Sequence, residues 1–124
     1  MNLLLDTHVL LSLFFEDGRL SRPAQEAIER EDSQLIVSTV SVWEIAIKRS
    51  IGKLEAPENV IERIDEAGAR ILTITPRHAH ATGELPLHHR DPFDRLLIAQ
   101  AQLEGCAIVT GDSAFSAYDV PVVW

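Results

Sequence analysis

In the stretch "HHRDPFDRLLIAQAQLEG" two aspartates, Asp91 and Asp94, stand at the start of a helical pattern. Two more acids follow short apolar runs: Asp6 comes directly after "MNLLL", and Asp112 shortly after "CAIVT". Glu44 lies in the first turns of the helical pattern that follows "QLIVST". If the apolar runs are strands of one parallel sheet, Asp6, Glu44 and Asp112 reach the same edge, because ligands bind beyond the carboxyl ends of such strands. Asp94 starts a helix that precedes a strand, so its place at that edge is the least direct of the four. Converging carboxylates repel, and a bound cation removes the difficulty. Oxygen donors without sulfur suit Mg2+ or Mn2+. The chemistry of such a site with a phosphate substrate is metal-assisted phosphodiester hydrolysis.

Each acid also has a purely local reading. Asp6 could cap the helix after it, although Thr7 offers a rival cap. Glu44, beside Trp43 on an otherwise apolar helix face, is harder to read as solvated surface. Asp112 in "TGDSAF" could be a turn residue. Asp91 before Pro92 reads as an N-cap followed by proline at the first helical position. Asp94 would then be the third helical residue, where a capping box prefers the longer Glu or Gln. Asp91 is thus explained by the helix it starts, and Asp94 is left available for chemistry.

The elements that must position these acids alternate along the chain. Apolar runs at 1–5, 34–39, 70–75, 106–110 and 120–124 read as strands. Between them lie helical patterns: "THVLLSLFF", "SRPAQEAIERED" capped by Ser21, "SVWEIAIKRSIGKL" stopping at Gly52, and "APENVIERIDEAGA" starting near Pro57. "PRHAHATGEL" gives a short helix closing at Gly83, residues 84–91 a polar loop, and Pro92 to Glu104 a long helix followed by Gly105. "GDSAFSAY" reads as a turn with one helical turn. No internal repeat or low-complexity linker divides the chain. Strands regularly separated by helices imply βαβ units and a parallel sheet covered on both faces, an α/β fold in one domain over 1–124.

The 124 residues, 46% hydrophobic and 24% charged, have the composition of an ordinary globular domain. No apolar run approaches the ~18 residues of a spanning helix, and the opening segment lacks the basic region of a signal peptide. The single cysteine, Cys106, permits no intrachain disulfide and reads as a small buried strand residue. A cytoplasmic protein is the default expectation. The net charge of −8 argues against binding nucleic acid by counterion release alone. A cation held among the carboxylates would reverse the local sign.

Four segments in order, "LLLDTHVLL", "SVWEIAIKRSIGKL", "DPFDRLLIAQAQLEG" and "IVTGDSAFSAY", resemble the PIN-domain ribonucleases, and within them the VapC-type toxins of toxin–antitoxin pairs. The resemblance spans essentially the whole chain. It implies a three-layer α/β/α sandwich around a parallel sheet of about five strands, and a Mg2+- or Mn2+-dependent endoribonuclease that inhibits translation and growth. Carried over by position, Asp6 and Asp94 are the firmest metal ligands, while Glu44 and Asp112 complete the acidic pocket, one of them helping to orient the attacking water. Thr7 and Thr110 match positions that hydrogen-bond these carboxylates, and Asp91 recurs in the "DPFDR" subgroup, which leaves a peripheral role at the site open to it. Ser12 stands where that subgroup commonly has Trp, a departure that touches packing more than chemistry. The resemblance further implies a homodimer and a cognate antitoxin whose C-terminal segment enters the active-site groove. DNA binding would belong to that partner and not to this chain alone.

Arg77, His89, Arg90 and Arg95, with His78, His80 and His88, form a local basic neighbourhood, and the first four are candidate contacts for RNA phosphates. The histidines offer no closed four-ligand zinc set. Two rival readings remain. A phosphoacceptor receiver-like domain would need an acidic pair after the first strand and a lysine after the last, and "LLLDTH" and "VPVVW" supply neither. A catalytically silent binding module on the same fold would keep the groove without the reaction.

Overall fold

A computed structural model describes all 124 residues, Met1–Trp124. Its centre is a five-stranded, wholly parallel sheet of β1 (Asn2–Leu5), β2 (Gln34–Ser38), β3 (Arg70–Leu72), β4 (Ala107–Val109) and β5 (Val122–Val123), in the order β3-β2-β1-β4-β5. The helices are α1 (Thr7–Phe15), α2 (Arg22–Glu29), α3 (Thr39–Ser50), α4 (Val60–Glu66), α5 (Pro76–Ala81) and α6 (Pro92–Glu104), with short 3-10 turns at Thr82–Glu84 and Ser113–Ala117. No helix is long and apolar enough to cross a membrane.

The strands are apolar at nearly every position because both faces are covered. Successive side chains point to opposite faces, and the two cores divide accordingly. Leu3, Leu5, Val37 and Val109 pack with Val9, Leu10 and Phe14 of α1, Ala24 of α2, Ile45 of α3 and Ile64 of α4. Leu4, Ile36 and Ile108 pack on the other side with Leu97, Ile98 and Ala101 of α6 and with Phe115 and Tyr118. α3 serves both cores, since Val40 faces the second and Ile45 the first. This is the parallel sheet covered on both faces that the alternation of runs implies, in the three-layer α/β/α arrangement that the resemblance implies.

Element boundaries shift where capping competes with extension. The third strand ends at Leu72 and not at Thr75, because Thr75 turns to cap α5 with Pro76 at its first position. The second strand stops at Ser38, whose hydroxyl accepts the N–H of Val40 and starts α3 earlier than the pattern suggested. α4 begins at Val60 and not near Pro57, after an Asn59 that makes no side-chain cap bond. Cys106 lies just before β4 but is buried as expected. Only Val122 and Val123 of the last run pair with the sheet. Gly105 closes α6 at φ 68°, in the left-handed region that favours glycine at such an end.

Candidate active site

β1 is the central strand, with β2 on one side and β4 on the other. The residues that leave these three strands at their carboxyl ends are therefore neighbours. Asp6 leaves β1, Ser38 and then Glu44 leave β2, and Thr110 with Asp112 leave β4. The fourth acid arrives by a different route. α6 runs back along the sheet to feed β4, so its first turn lies at the edge where β4 ends. Asp94 is in that turn. Its carboxyl is close enough to Asp6 and Glu44 for their charges to act on it. Four carboxylates from four separate segments meet at one edge.

Asp6 is buried and uses both oxygens. Oδ1 accepts the N–H of His8 at 2.6 Å, which makes Asp6 the N-cap of α1, and Oδ2 accepts the hydroxyl of Thr110. The rival cap does not form. Thr7 is already helical, and its hydroxyl donates to Glu44 Oε1 at 2.6 Å while lying 3.1 Å from Ser41 Oγ. Capping does not use up Asp6, since a carboxylate has about four acceptor positions. Burial pushes the Asp6 carboxyl above the usual range, opposed by the bonds from Thr110 and His8.

Thr110 ties two of the acids together. Its hydroxyl donates to Asp6 and accepts the N–H of Asp112 at 3.1 Å. Asp112 itself is exposed and caps the following turn through Ala114 N–H at 2.9 Å, so the turn reading holds for one of its oxygens. Glu44 is buried, and its second oxygen is bonded by Lys48 one helical turn on. That bond holds the Lys48 ammonium above its usual pKa. Lys48 also lies 5.8 Å from the ring centroid of Phe93, which meets Trp43 edge to face at 5.2 Å. These contacts fasten α3, and so Glu44, to the start of α6. Lys48 and Ser41 were missed in the sequence, although Glu44 and Lys48 have the spacing of an i,i+4 pair.

At the start of α6 the two aspartates divide. Asp91 Oδ1 accepts the N–H groups of Phe93 at 2.8 Å and Asp94 at 3.2 Å, a helix cap. Asp94 caps nothing; its Oδ2 lies 2.8 Å from His89 Nε2. Burial pushes the Asp94 carboxyl up to about 6, with His89 opposing and the charges of Asp91, Asp6 and Glu44 reinforcing the rise. In the folded, metal-free protein Asp94 therefore holds its proton to higher pH than in the unfolded chain. Its contribution to stability is fully present below about 3.8 and is lost as pH rises through about 6. Thermal melts of EDTA-treated protein are expected to show this decline between those pH values and a shallower one in Asp94→Asn, where the raised Asp6 carboxyl remains. A divalent ion should restore stability at neutral pH. A decline equally steep in wild type and Asp94→Asn would assign it to other groups.

Among the residues expected to touch RNA, Arg95 is corrected by the structure. It is buried, and its two terminal nitrogens donate to the carbonyls of Thr82 (2.7 Å), Leu85 (3.2 Å), Pro86 (2.8 Å) and His89 (3.3 Å) and to Tyr118 Oη (3.1 Å). A guanidinium so engaged has no face left for a phosphate. His89 is turned toward Asp94, half-buried. Arg77 and Arg90 are exposed and make no ion pair. Of the other histidines, His78 is buried and structural. Its Nδ1 accepts the N–H of Thr75, which leaves Nε2 to donate to Glu104 at 3.0 Å and ties α5 to α6. His80 and His88 are exposed.

A cavity of about 730 Å³ opens from the acidic edge along α1, lined among others by Asp6, His8, Ser12, Phe15, Asp112 and Trp124. Against known families, residues 3–121 match the PIN domain. The chain belongs to the PIN-domain family. The match excludes the receiver-like reading. A relative of this PIN-domain chain, Ribonuclease VapC22 of Mycobacterium tuberculosis, is 32% identical over 98% of this chain and 97% of its own length. Among solved structures, VapBC2 from Rickettsia felis bound to a promoter DNA fragment superposes with a TM-score of 0.73 at 15% identity, over 98% of this chain and 97% of that one. A toxin–antitoxin complex from Klebsiella pneumoniae gives 0.67 at 24% identity, over 98% and 95%. VapBC-1 from nontypeable Haemophilus influenzae gives 0.68 at 17%, over 98% and 96%. These structures share the PIN fold described above.

The donor set of this PIN domain suits a hard divalent cation. All four acids offer oxygen, and the only thiol, Cys106, is at the opposite end of β4. The carboxyls of Asp6 and Asp94 are raised first by burial and further by neighbouring carboxylates, and a bound cation would favour their charged forms.

Proposed function

We propose that this PIN-domain chain is a divalent-metal-dependent endoribonuclease, the toxin of a VapBC-type toxin–antitoxin pair, which cuts RNA and thereby inhibits translation and growth. The observation that carries this reading is the convergence of Asp6, Glu44, Asp94 and Asp112 at the sheet edge beside an open groove. The identity to a ribonuclease over nearly the whole chain supports it. Bound there, Mg2+ or Mn2+ would lower the pKa of an attacking water and offset charge developing on the phosphoryl oxygens.

The protein's own residues have distinct parts. Asp6 and Asp94 would hold the ion, with Thr110 fixing the rotamer of the first and the first turn of α6 aiming the second. Asp112, exposed at the mouth, is suited to bind the ion and to orient a water on it. Glu44 is fixed by Thr7 and Lys48, and completes the pocket from α3. Arg77 and Arg90 would meet RNA phosphates outside the acidic centre, where the overall charge of −8 favours focused contacts over a broad basic surface. The cognate antitoxin would occupy the groove and block it; the toxin–antitoxin assemblies among the structural neighbours support such a partner. We further infer a homodimer in the cytoplasm, with DNA contacts left to the antitoxin.

Purified, antitoxin-free protein incubated with total RNA and Mg2+ or Mn2+ should produce discrete new 5′ ends, and EDTA should abolish them. Calorimetry should detect ion binding in the same preparation. Ion binding without cleavage of any RNA would instead favour the silent binding module.

A further inference from the structure

Three donor atoms from three segments come together at the mouth of the site: Nε2 of His89, a carboxylate oxygen of Asp94 and one of Asp112, all within 4.8 Å of one another. The His89–Asp94 separation is 2.8 Å. Two ligands at about 2.1 Å from one ion lie roughly 3 Å apart when adjacent and about 4.2 Å apart when opposite. The His89–Asp94 pair already has the spacing of adjacent ligands; an ion would replace the proton they share and draw the widest pair of the trio slightly together.

His89 is in a polar loop, where a side chain is ordinarily mobile. Here its backbone is clamped on both sides. Its N–H donates to Tyr118 Oη at 2.9 Å, and its carbonyl accepts from Arg95 Nη1 and from Tyr118 Oη, each at 3.3 Å. Tyr118 and Arg95 are both buried, so the clamp is anchored in the core. Such fixing exceeds what a surface ion pair requires, and it is what a preorganised ligand needs. Asp112 is positioned independently, through Thr110 and Ala114.

We propose that His89 is a nitrogen ligand of the divalent ion, sharing it with Asp94 and Asp112, and that it biases the site toward a first-row transition ion over Mg2+. This rests on the metal-dependent reading above. Mg2+ prefers oxygen and parts reluctantly with its waters, so an imidazole favours the transition ion selectively. The same residue thereby ceases to be an RNA contact.

The test uses the full chain, free of antitoxin, with Mn2+ as probe. Electron spin-echo modulation of the Mn2+-loaded wild type should show coupling to an imidazole nitrogen, and His89→Gln should lose it. By calorimetry, His89→Gln should bind Mn2+ at least roughly tenfold more weakly while its Mg2+ affinity stays nearly unchanged. Mn2+ bound without nitrogen coupling in the wild type would overturn the ligand role and leave the nuclease reading standing. Coupling that persists in His89→Gln would also overturn it, by assigning the nitrogen to another histidine. Failure of the wild type to bind Mn2+ at all would overturn both readings together. If the variant does not fold, absence of nitrogen coupling in the wild type still overturns the proposal.

Discussion

Asp94→Asn is expected to lower RNA cleavage by at least roughly a hundredfold, the scale on which loss of one preorganised electrostatic contact already falls, while its thermal stability at neutral pH equals or exceeds that of the wild type. The activity loss follows from removing a charge that faces Asp6 and Glu44 and would hold the ion. The preserved stability follows from the same environment, because burial and neighbouring negative charge make the ionised Asp94 carboxyl unfavourable in the metal-free fold. Asp91→Ala should behave in the opposite way. It removes the acceptor for the N–H groups of Phe93 and Asp94 and should cost about 1 kcal/mol, a fall of several degrees in melting temperature, with a much smaller loss of activity. Cleavage rates and melting curves for the pair decide the matter. Matched activity losses at unchanged stability would show that Asp91, too, belongs to the chemistry.

Arg95→Lys is expected to be among the most destabilising single changes in the chain, although it conserves charge. The guanidinium fork satisfies four carbonyls and a phenol at once. An ammonium has three donors and no planar fork, so several buried carbonyls would lose their partner. The expected cost is about 2–4 kcal/mol, or on the order of 10 °C in melting temperature. Because those carbonyls span Thr82 to His89, amide exchange across this segment should accelerate, and the alignment of His89 with Asp94 should loosen with it. Arg90→Ala should instead leave the melting temperature in place and raise KM for RNA. Normal stability of Arg95→Lys together with a raised KM would return Arg95 to the RNA surface.

Most of the fold is legible in the amino-acid order, and for a simple reason. A parallel sheet buried on both faces demands continuous apolar runs, and the helices between them carry caps and stops with local signatures. Hence "MNLLL", "QLIVS" and "AIV" announce themselves, as do Ser21, Asp91 with Pro92, and Gly105. The departures fall where two local preferences compete over the same residues. Thr75 favours extension but also caps a helix that starts with proline, and capping wins. Asp6 and Thr7 are both good caps, and only the position of Glu44 explains why the threonine hydroxyl is drawn away.

Residue types and their spacing settle which acids are present, the order of the elements carrying them, and that Asp6, Glu44 and Asp112 follow strands. Those properties depend on neighbours within a turn or two. That Asp94 joins them is a matter of tertiary packing, because its place depends on α6 running back along the sheet. Packing likewise makes Arg95 a buried clamp and not an RNA contact, and turns His89 toward Asp94. The partners of those two side chains are backbone carbonyls of an irregular loop, the hydroxyl of Tyr118 and a carboxylate on the next helix. A carbonyl is the same group at every residue, so nothing in a residue's type or spacing records which ones a loop will turn inward.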